Sequence, residues 1–256
     1  MKKIAVITGA SSGMGRDFVR LIGTHESFDE VWVIARRLDR LESLGAECPF
    51  PVRAIPLDLT DTSSFAEYSR ILSEEAPDVA LLVNCSGYGK FGRYDDIDLE
   101  DKFGMIDLNC KALVAMTELT LPYMKAGAHI IELDSLSSFQ PVPYIGVYGA
   151  SKAFVLSYSR SLDRELSDRG IRVCAVCPGW VRTDFFDRAK TKNEKAVTYY
   201  NKVWESEDVV RTALRDAYKG KDVSIHGFSV RAQVLATKLL PHSLVMSIWL
   251  KQQGHK

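Results

Sequence analysis

Tyr148 and Lys152 stand four residues apart in the run Tyr148-Gly149-Ala150-Ser151-Lys152. On a helix this spacing puts both side chains on one face, about one turn apart. A free phenol has a pKa of about 10, too high for rapid proton exchange at neutral pH. A neighbouring ammonium favours the phenolate and brings the group toward the range useful for general acid–base work. Ser135 lies thirteen residues upstream of Tyr148 and could hydrogen-bond the same reacting oxygen. Ser137 and Ser138 follow the same predicted strand and could take its place. A Tyr–Lys pair is common on helices, so its meaning depends on the rest of the chain.

A second constellation lies near the N-terminus, in Thr8-Gly9-Ala10-Ser11-Ser12-Gly13-Met14-Gly15. Glycines at 9, 13 and 15 let a backbone turn tightly and approach a pyrophosphate. Ser11, Ser12 and Met14 fill the turn, and the helix that follows offers free N–H groups and a positive dipole end. The second predicted strand ends in Ala35-Arg36-Arg37. A carboxylate near this position would hold a ribose 2′-hydroxyl, whereas Arg36 and Arg37 suit a 2′-phosphate. The expected cofactor is therefore NADP(H) rather than NAD(H).

These residues need a scaffold, and the apolar periodicity supplies one. Strands are predicted over 3–8, 31–35, 52–56, 79–84, 129–134, 171–177 and 222–226. Helices are predicted over 13–23, 39–44, 62–75, 99–125, 147–167 and 206–218. Strand and helix in alternation imply an α/β doubly wound fold, with a parallel sheet of about seven strands and helices on both faces. Near-continuous apolar runs such as Ile4-Ala5-Val6-Ile7 are expected of strands covered on both sides. No linker divides residues 1–256, so one domain is expected.

Composition narrows the class further. The chain has 256 residues, 46% hydrophobic and 26% charged, with 33 basic and 33 acidic side chains. These values exclude disorder, collagen and coiled coil, and the balanced charge argues against a nucleic-acid partner. The five cysteines suit reduced thiols. Cys174 and Cys177 fall on a predicted strand, where residues three apart face opposite ways, so buried thiols are expected there rather than a metal or redox site. The five histidines show no metal spacing, and no metal is expected. No apolar run is long enough to span a bilayer. The stretch after Lys2-Lys3 breaks at Thr8-Gly9, too short for an export signal, so a cytoplasmic location is expected.

Two segments break the alternation. Residues 184–203 are polar and charged, with Phe185, Phe186, Tyr199 and Tyr200 embedded, and are read as a lid over a substrate. The tail, residues 229–256, is apolar over 235–250 except at Lys238 and Pro241-His242. It is expected to pack on the core, cap the site or meet a second subunit, with weak membrane contact as a further option.

At this point the chain resembles the short-chain dehydrogenase/reductase family over most of its length. Thr8–Gly15 is similar to its T-G-x-x-x-G-x-G turn, and Asp58-Leu59 to its adenine-contacting acidic pair. Asn84-Cys85-Ser86-Gly87 resembles its N-N-A-G segment, with Cys85 and Ser86 departing from it. Ser135, Tyr148 and Lys152 match its catalytic serine and Y-x-x-x-K, and Asn109 its catalytic asparagine. Pro178, Gly179, Val181 and Thr183 match the segment that holds the nicotinamide. The resemblance implies a Rossmann fold and a carbonyl reductase. Tyr148 would move a proton at the substrate oxygen and Ser135 would hydrogen-bond it. Lys152 would also bind the nicotinamide ribose, and Asn109 would hold a water leading to solvent. It also implies a homodimer or homotetramer joined through residues 99–125 and 147–167.

The substrate is left broader. Candidate pocket residues are Tyr88, Phe91, Leu136, Phe139, Pro143, Tyr144, Trp180, Phe185 and Tyr199, mostly apolar. They suit a small carbonyl or alcohol substrate such as a 3-oxoacyl chain, a steroid or an aromatic ketone. Alternatives are a hydroxysteroid-type dehydrogenase running oxidatively and a non-catalytic NADP sensor.

Overall fold

The computed structural model describes residues 1–192 and 196–255. The strands are β1 (Lys3–Thr8), β2 (Glu30–Ala35), β3 (Val52–Pro56), β4 (Asp78–Asn84), β5 (His129–Leu133), β6 (Arg172–Val176), β7 (Trp180–Arg182), β8 (Val203–Glu205) and β9 (Val223–Ser224). The helices are α1 (Gly13–Leu21), α2 (Leu38–Glu42), α3 (Ser63–Glu75), α4 (Leu99–Ile106), α5 (Ala112–Thr120), α6 (Gly146–Glu165), α7 (Phe185–Ala189), α8 (Ser206–Tyr218), α9 (Phe228–Leu239) and α10 (His242–Gln252).

Seven strands pair in parallel in the order β3-β2-β1-β4-β5-β6-β9. This is the doubly wound Rossmann arrangement expected from the alternation. Side chains alternate between the two faces of β1. Ala5 and Ile7 pack with Phe18 and Val19 of α1 and Val210 and Leu214 of α8. Ile4 and Val6 pack with Tyr68 and Leu72 of α3, Met116 of α5 and Leu162 of α6. Both faces are buried, which is why the central strands read as continuous apolar runs.

Strand order reverses between β1 and β4, so the crossovers leaving them diverge and open a crevice at their carboxyl ends. A third apolar cluster lies apart from the two sheet faces. Phe91, Val142, Ile145, Ala189 and Val197 form it, flanked by Tyr144, Trp180, Phe185 and Trp249.

The structure corrects one expected element and adds detail at three other places. The single helix expected over 99–125 is two α-helices joined by a π-helical turn, Asp107–Lys111. Strands β7 and β8 form a separate two-stranded parallel sheet that the pattern did not show, because three residues are too few to display a period. Among its described residues the segment 184–203 holds the short helix α7 before β8 begins; residues 193–195 lie outside the described residues. The tail folds as α9 and α10 up to residue 255, with Lys256 outside the described residues.

Candidate active site

The loop after β1 carries the glycines because nothing larger fits. Gly9 and Gly13 have φ of 66° and 55°, a region that costs any residue with a Cβ. A Cβ on Gly9 would come within 2.7 Å of the Cys85 carbonyl oxygen, and one on Gly15 would collide with the Gly9 carbonyl. The side chain of Thr8 holds the next loop against this turn, since its Oγ1 accepts from the N–H groups of Cys85 (3.0 Å) and Ser86 (3.1 Å). A cavity of about 890 Å³ results, lined by Gly9, the 11–15 turn, Arg36, Arg37, Asp58, Leu59, Ser86 and Gly87. Arg37 donates to Ser11 Oγ at 3.4 Å, and Arg36 lies 3.8 Å from Asp58. Burial lowers the pKa of Arg37, and the charges of Arg40 and Arg188 add to that. Arg188 of α7 lines the same cavity. It escaped the sequence reading because it is far from the glycine turn along the chain and no spacing links the two.

Asn84 sits elsewhere than expected. It is buried behind the cavity and does not line it; its amide donates to Thr117 Oγ1 (2.9 Å) and Glu132 Oε1 (3.2 Å). It ties β4 to β5 and α5. As the last residue of β4 it faces the helix layer, while the chain turns toward the cavity only at Cys85.

Lys152 is 3% exposed on α6, and its ammonium donates to the Leu133 carbonyl at 2.6 Å. Its nitrogen lies 5.9 Å from the centre of the Tyr148 ring. Burial lowers the lysine's pKa, and the carboxylate of Asp134 opposes that shift. Burial raises the pKa of the Tyr148 phenol; a hydrogen bond with Ser135 opposes the rise and Asp134 reinforces it. In the protein alone the phenol therefore shifts upward, opposite to what the Tyr–Lys spacing suggests. Desolvation outweighs an ammonium already engaged by a carbonyl.

Ser135 caps the short 3₁₀ turn Leu136–Phe139. Its oxygen accepts from the Ser137 N–H (3.2 Å) and the Ser137 hydroxyl (3.0 Å). With two donors arriving, Ser135 keeps its own proton for Tyr148 or a substrate oxygen. Ser137 lines the same apolar cavity as Ser135, and the Ser138 hydroxyl donates to the Ser135 carbonyl.

Asn109 lies within the π turn and is fully buried. Its amide donates to the Tyr88 carbonyl (2.9 Å) and Ser151 Oγ (3.0 Å), and its oxygen accepts from the Tyr88 N–H (3.0 Å). It thus staples the 87–88 loop to the helix bearing Tyr148 and Lys152. The extra residue of a π turn redirects a side chain in this way.

Two buried acids beside these groups were not anticipated. Asp134 and Glu132 lie on one face of the strand end, and desolvation pushes each up to about 7. Asp134 accepts from the Cys177 thiol at 3.2 Å, and Cys174 is also buried. The signal was present as acids inside an apolar strand, Ile130-Ile131-Glu132-Leu133-Asp134.

A second, apolar cavity of about 120 Å³ opens on Ser135, Tyr148 and Lys152. Trp180, Phe185, Phe91, Leu136, Pro178, Gly179, Val181 and Thr183 line it, together with Gln140, Val142, Ile145, Phe186, Gln233 and Trp249. Met14, Gly87, Leu133, Thr183 and Phe185 line both cavities, so the two meet there. Five expected pocket residues are placed elsewhere; among them, Pro143 accepts at its carbonyl from Trp249 Nε1 (2.9 Å). Tyr88 lines the larger cavity. Phe139 lies under Lys238 at 5.5 Å, and Tyr144 stacks on His255 at 4.1 Å. Tyr199 is exposed. Adjacency in sequence misplaced them, since Gln233 and Trp249 of the tail take up that wall.

The sequence profile of the short chain dehydrogenase family matches residues 3–194. An oxidoreductase of Staphylococcus epidermidis is 30% identical over 209 residues, 77% of this chain and 90% of its own. The fold is similar to that of a short-chain dehydrogenase from Sphingobium yanoikuyae in complex with NADPH, with 29% identity, a TM-score of 0.79 and 95% of each chain covered. It is also similar to the closed form of a serine dehydrogenase complexed with NADP⁺, with 31% identity, a TM-score of 0.73 and 87% and 93% of the two chains covered. A glycine turn at the reversal of strand order, a Ser–Tyr–Lys cluster beside it and these matches agree: the chain is an oxidoreductase of the short chain dehydrogenase family.

Proposed function

We propose that the chain is an NADP(H)-dependent oxidoreductase that reduces the carbonyl of a small apolar substrate and oxidises the matching secondary alcohol in reverse. The observation that supports this most is that the smaller cavity, which opens on Tyr148, Ser135 and Lys152, meets the larger one at Met14, Gly87, Leu133, Thr183 and Phe185. The larger cavity fits a dinucleotide, because its glycines leave room only for backbone and its α1 N-terminus suits a pyrophosphate. Arg36, Arg37 and Arg188 suit a 2′-phosphate. The relatives bound to NADPH and NADP⁺ point the same way.

When bound, the nicotinamide supplies or accepts the hydride. Tyr148 then gives its proton to the carbonyl oxygen, or takes one from the alcohol. Ser135 donates a hydrogen bond to that oxygen and steadies its developing charge. Lys152, fixed on the Leu133 carbonyl, orients the phenol and binds the ribose hydroxyls. Asn109 holds the loop that forms their floor. The apolar pocket favours an acyl chain, a steroid or an aromatic ketone over a sugar. Exposed Leu99, Phe103 and Ile106 of α4 with Phe154 of α6 offer the face for a homodimer or homotetramer.

The test is to measure initial rates on a panel of ketones with NADPH and with NADH. Faster use of NADPH with aromatic or long-chain ketones is expected. Equal or faster use of NADH overturns the cofactor reading, and no oxidation with any ketone overturns the reductase reading.

A further inference from the structure

Helices α9 and α10 are fixed to the domain by one face only. Val230, Val234 and Thr237 are buried, Trp249 Nε1 donates to the Pro143 carbonyl at 2.9 Å, and Gln253 accepts from the N–H groups of Thr198 and Tyr199. The other face of α9 carries Phe228, Ala232, Leu235 and Leu239, spaced four, three and four residues apart, which makes a single stripe along the helix. Phe228 is 85% exposed and Leu239 75% exposed. Arg231, which donates to the Ile225 carbonyl (3.1 Å), and Lys238, whose Nζ lies over the Phe139 ring, run along one edge of this stripe, and Leu240, Leu244 and Ile248 of the segment into α10 are exposed apolar residues.

Charge separates the same segment from the rest. The last acid in the chain is Asp222; all 33 acids precede residue 223, where they accompany only 29 of the 33 bases. Residues 223–256 thus carry a net charge of +4 and the remainder −4. A second copy docking by this face would set cation against cation about the twofold axis. The apolar face on α4 is separate, with Glu100 and Asp101 beside it. Phospholipid phosphates complement the basic edge, while the stripe gains by entering the acyl boundary.

We infer that the outer face of α9 and α10 seats this enzyme on an anionic phospholipid surface. The helices lie in the plane of the interface, and among the described residues no helix is long and apolar enough to cross a membrane. Gln233 and Trp249 project from the same two helices into the apolar pocket, so that pocket lies next to the lipid. Entry of an apolar ketone from the bilayer rests on the proposed reductase activity; the lipid binding does not.

The test uses the full chain, sedimented with extruded phosphatidylcholine vesicles with and without about 30% phosphatidylglycerol. Partitioning should be at least about tenfold stronger with the anionic lipid and fall about tenfold at roughly 0.5 M salt. Leu235→Glu with Leu239→Glu should abolish binding while leaving thermal unfolding and NADPH binding in buffer unchanged. Arg231→Ala with Lys238→Ala, which leaves the apolar stripe intact, should weaken binding to anionic vesicles only. No binding to anionic vesicles, or binding unmoved by both double variants, overturns the inference. So does a lower mass by light scattering in the leucine variant without vesicle binding by the parent, which assigns the face to a second copy. Ketone reduction without vesicle binding would sink this inference and leave the proposed activity standing.

Discussion

The Lys152 ammonium lies 2.6 Å from the carbonyl oxygen of Leu133, the last residue of β5. Tyr148 is one helical turn before the lysine, and Ser135 is two residues after the leucine. One hydrogen bond therefore sets how the strand end and the helix face each other, and with it the approach of the Ser135 hydroxyl to the phenol. Replacing Lys152 with Met should leave that carbonyl without a donor. A buried unpaired carbonyl costs about 1–3 kcal/mol, so a fall of several degrees in Tm is expected with loss of turnover. Thermal unfolding with the steady-state rate checks both.

Tyr148→Phe removes the proton donor and little volume. Turnover should fall about 10²–10⁴-fold, the usual contribution of general acid–base catalysis. NADPH affinity, read by fluorescence titration, should stay within a factor of two or so. Retained turnover would overturn the role given to the phenol.

Arg37 and Arg188, far apart along the chain, both line the large cavity, and burial, helped by the charge of Arg188, lowers the pKa of Arg37. Charge-assisted hydrogen bonds contribute roughly 1.5–3 kcal/mol each. Arg37→Ala, and separately Arg188→Ala, should raise the KM for NADPH about 10- to 100-fold and leave that for NADH nearly unchanged. Equal losses for both cofactors would place these cations away from any 2′-phosphate.

Glu132 gives a pH signature in stability rather than in rate. Its pKa is raised to about 7 from an ordinary 4.5 by burial. Between those values the native state holds a proton that the unfolded chain has released. Its contribution is therefore full below the unfolded value, declines as pH rises and is lost above about 7. Glu132 Oε2 and Asn84 Oδ1 both lack a donor, and Glu132→Gln exchanges one carboxylate oxygen for an NH₂ that needs no proton from solvent to donate. Glu132→Gln should flatten the decline in unfolding free energy between pH 5 and 8 by about 3 kcal/mol. Urea titrations across that range test this, and an unchanged slope would show that Glu132 stays ionised.

Local chemistry fixed a large share of this protein. The glycine turn, the alternating apolar strands and the Tyr148–Lys152 spacing follow from rules acting over a few residues: φ tolerance, two-sided burial and helical pitch. These place the main sheet and the proposed catalytic side chains without knowledge of distant contacts. The tertiary structure alone decided who stands beside them. Arg188 joins Arg37, Trp249 and Gln233 wall the pocket in place of Tyr144 and Tyr199, and Asn84 turns away toward Glu132. Those neighbours are far apart along the chain, where no period or spacing couples them. The direction of the phenol's shift also waited on the fold, because desolvation depends on everything packed around a group and not on the residue four places away.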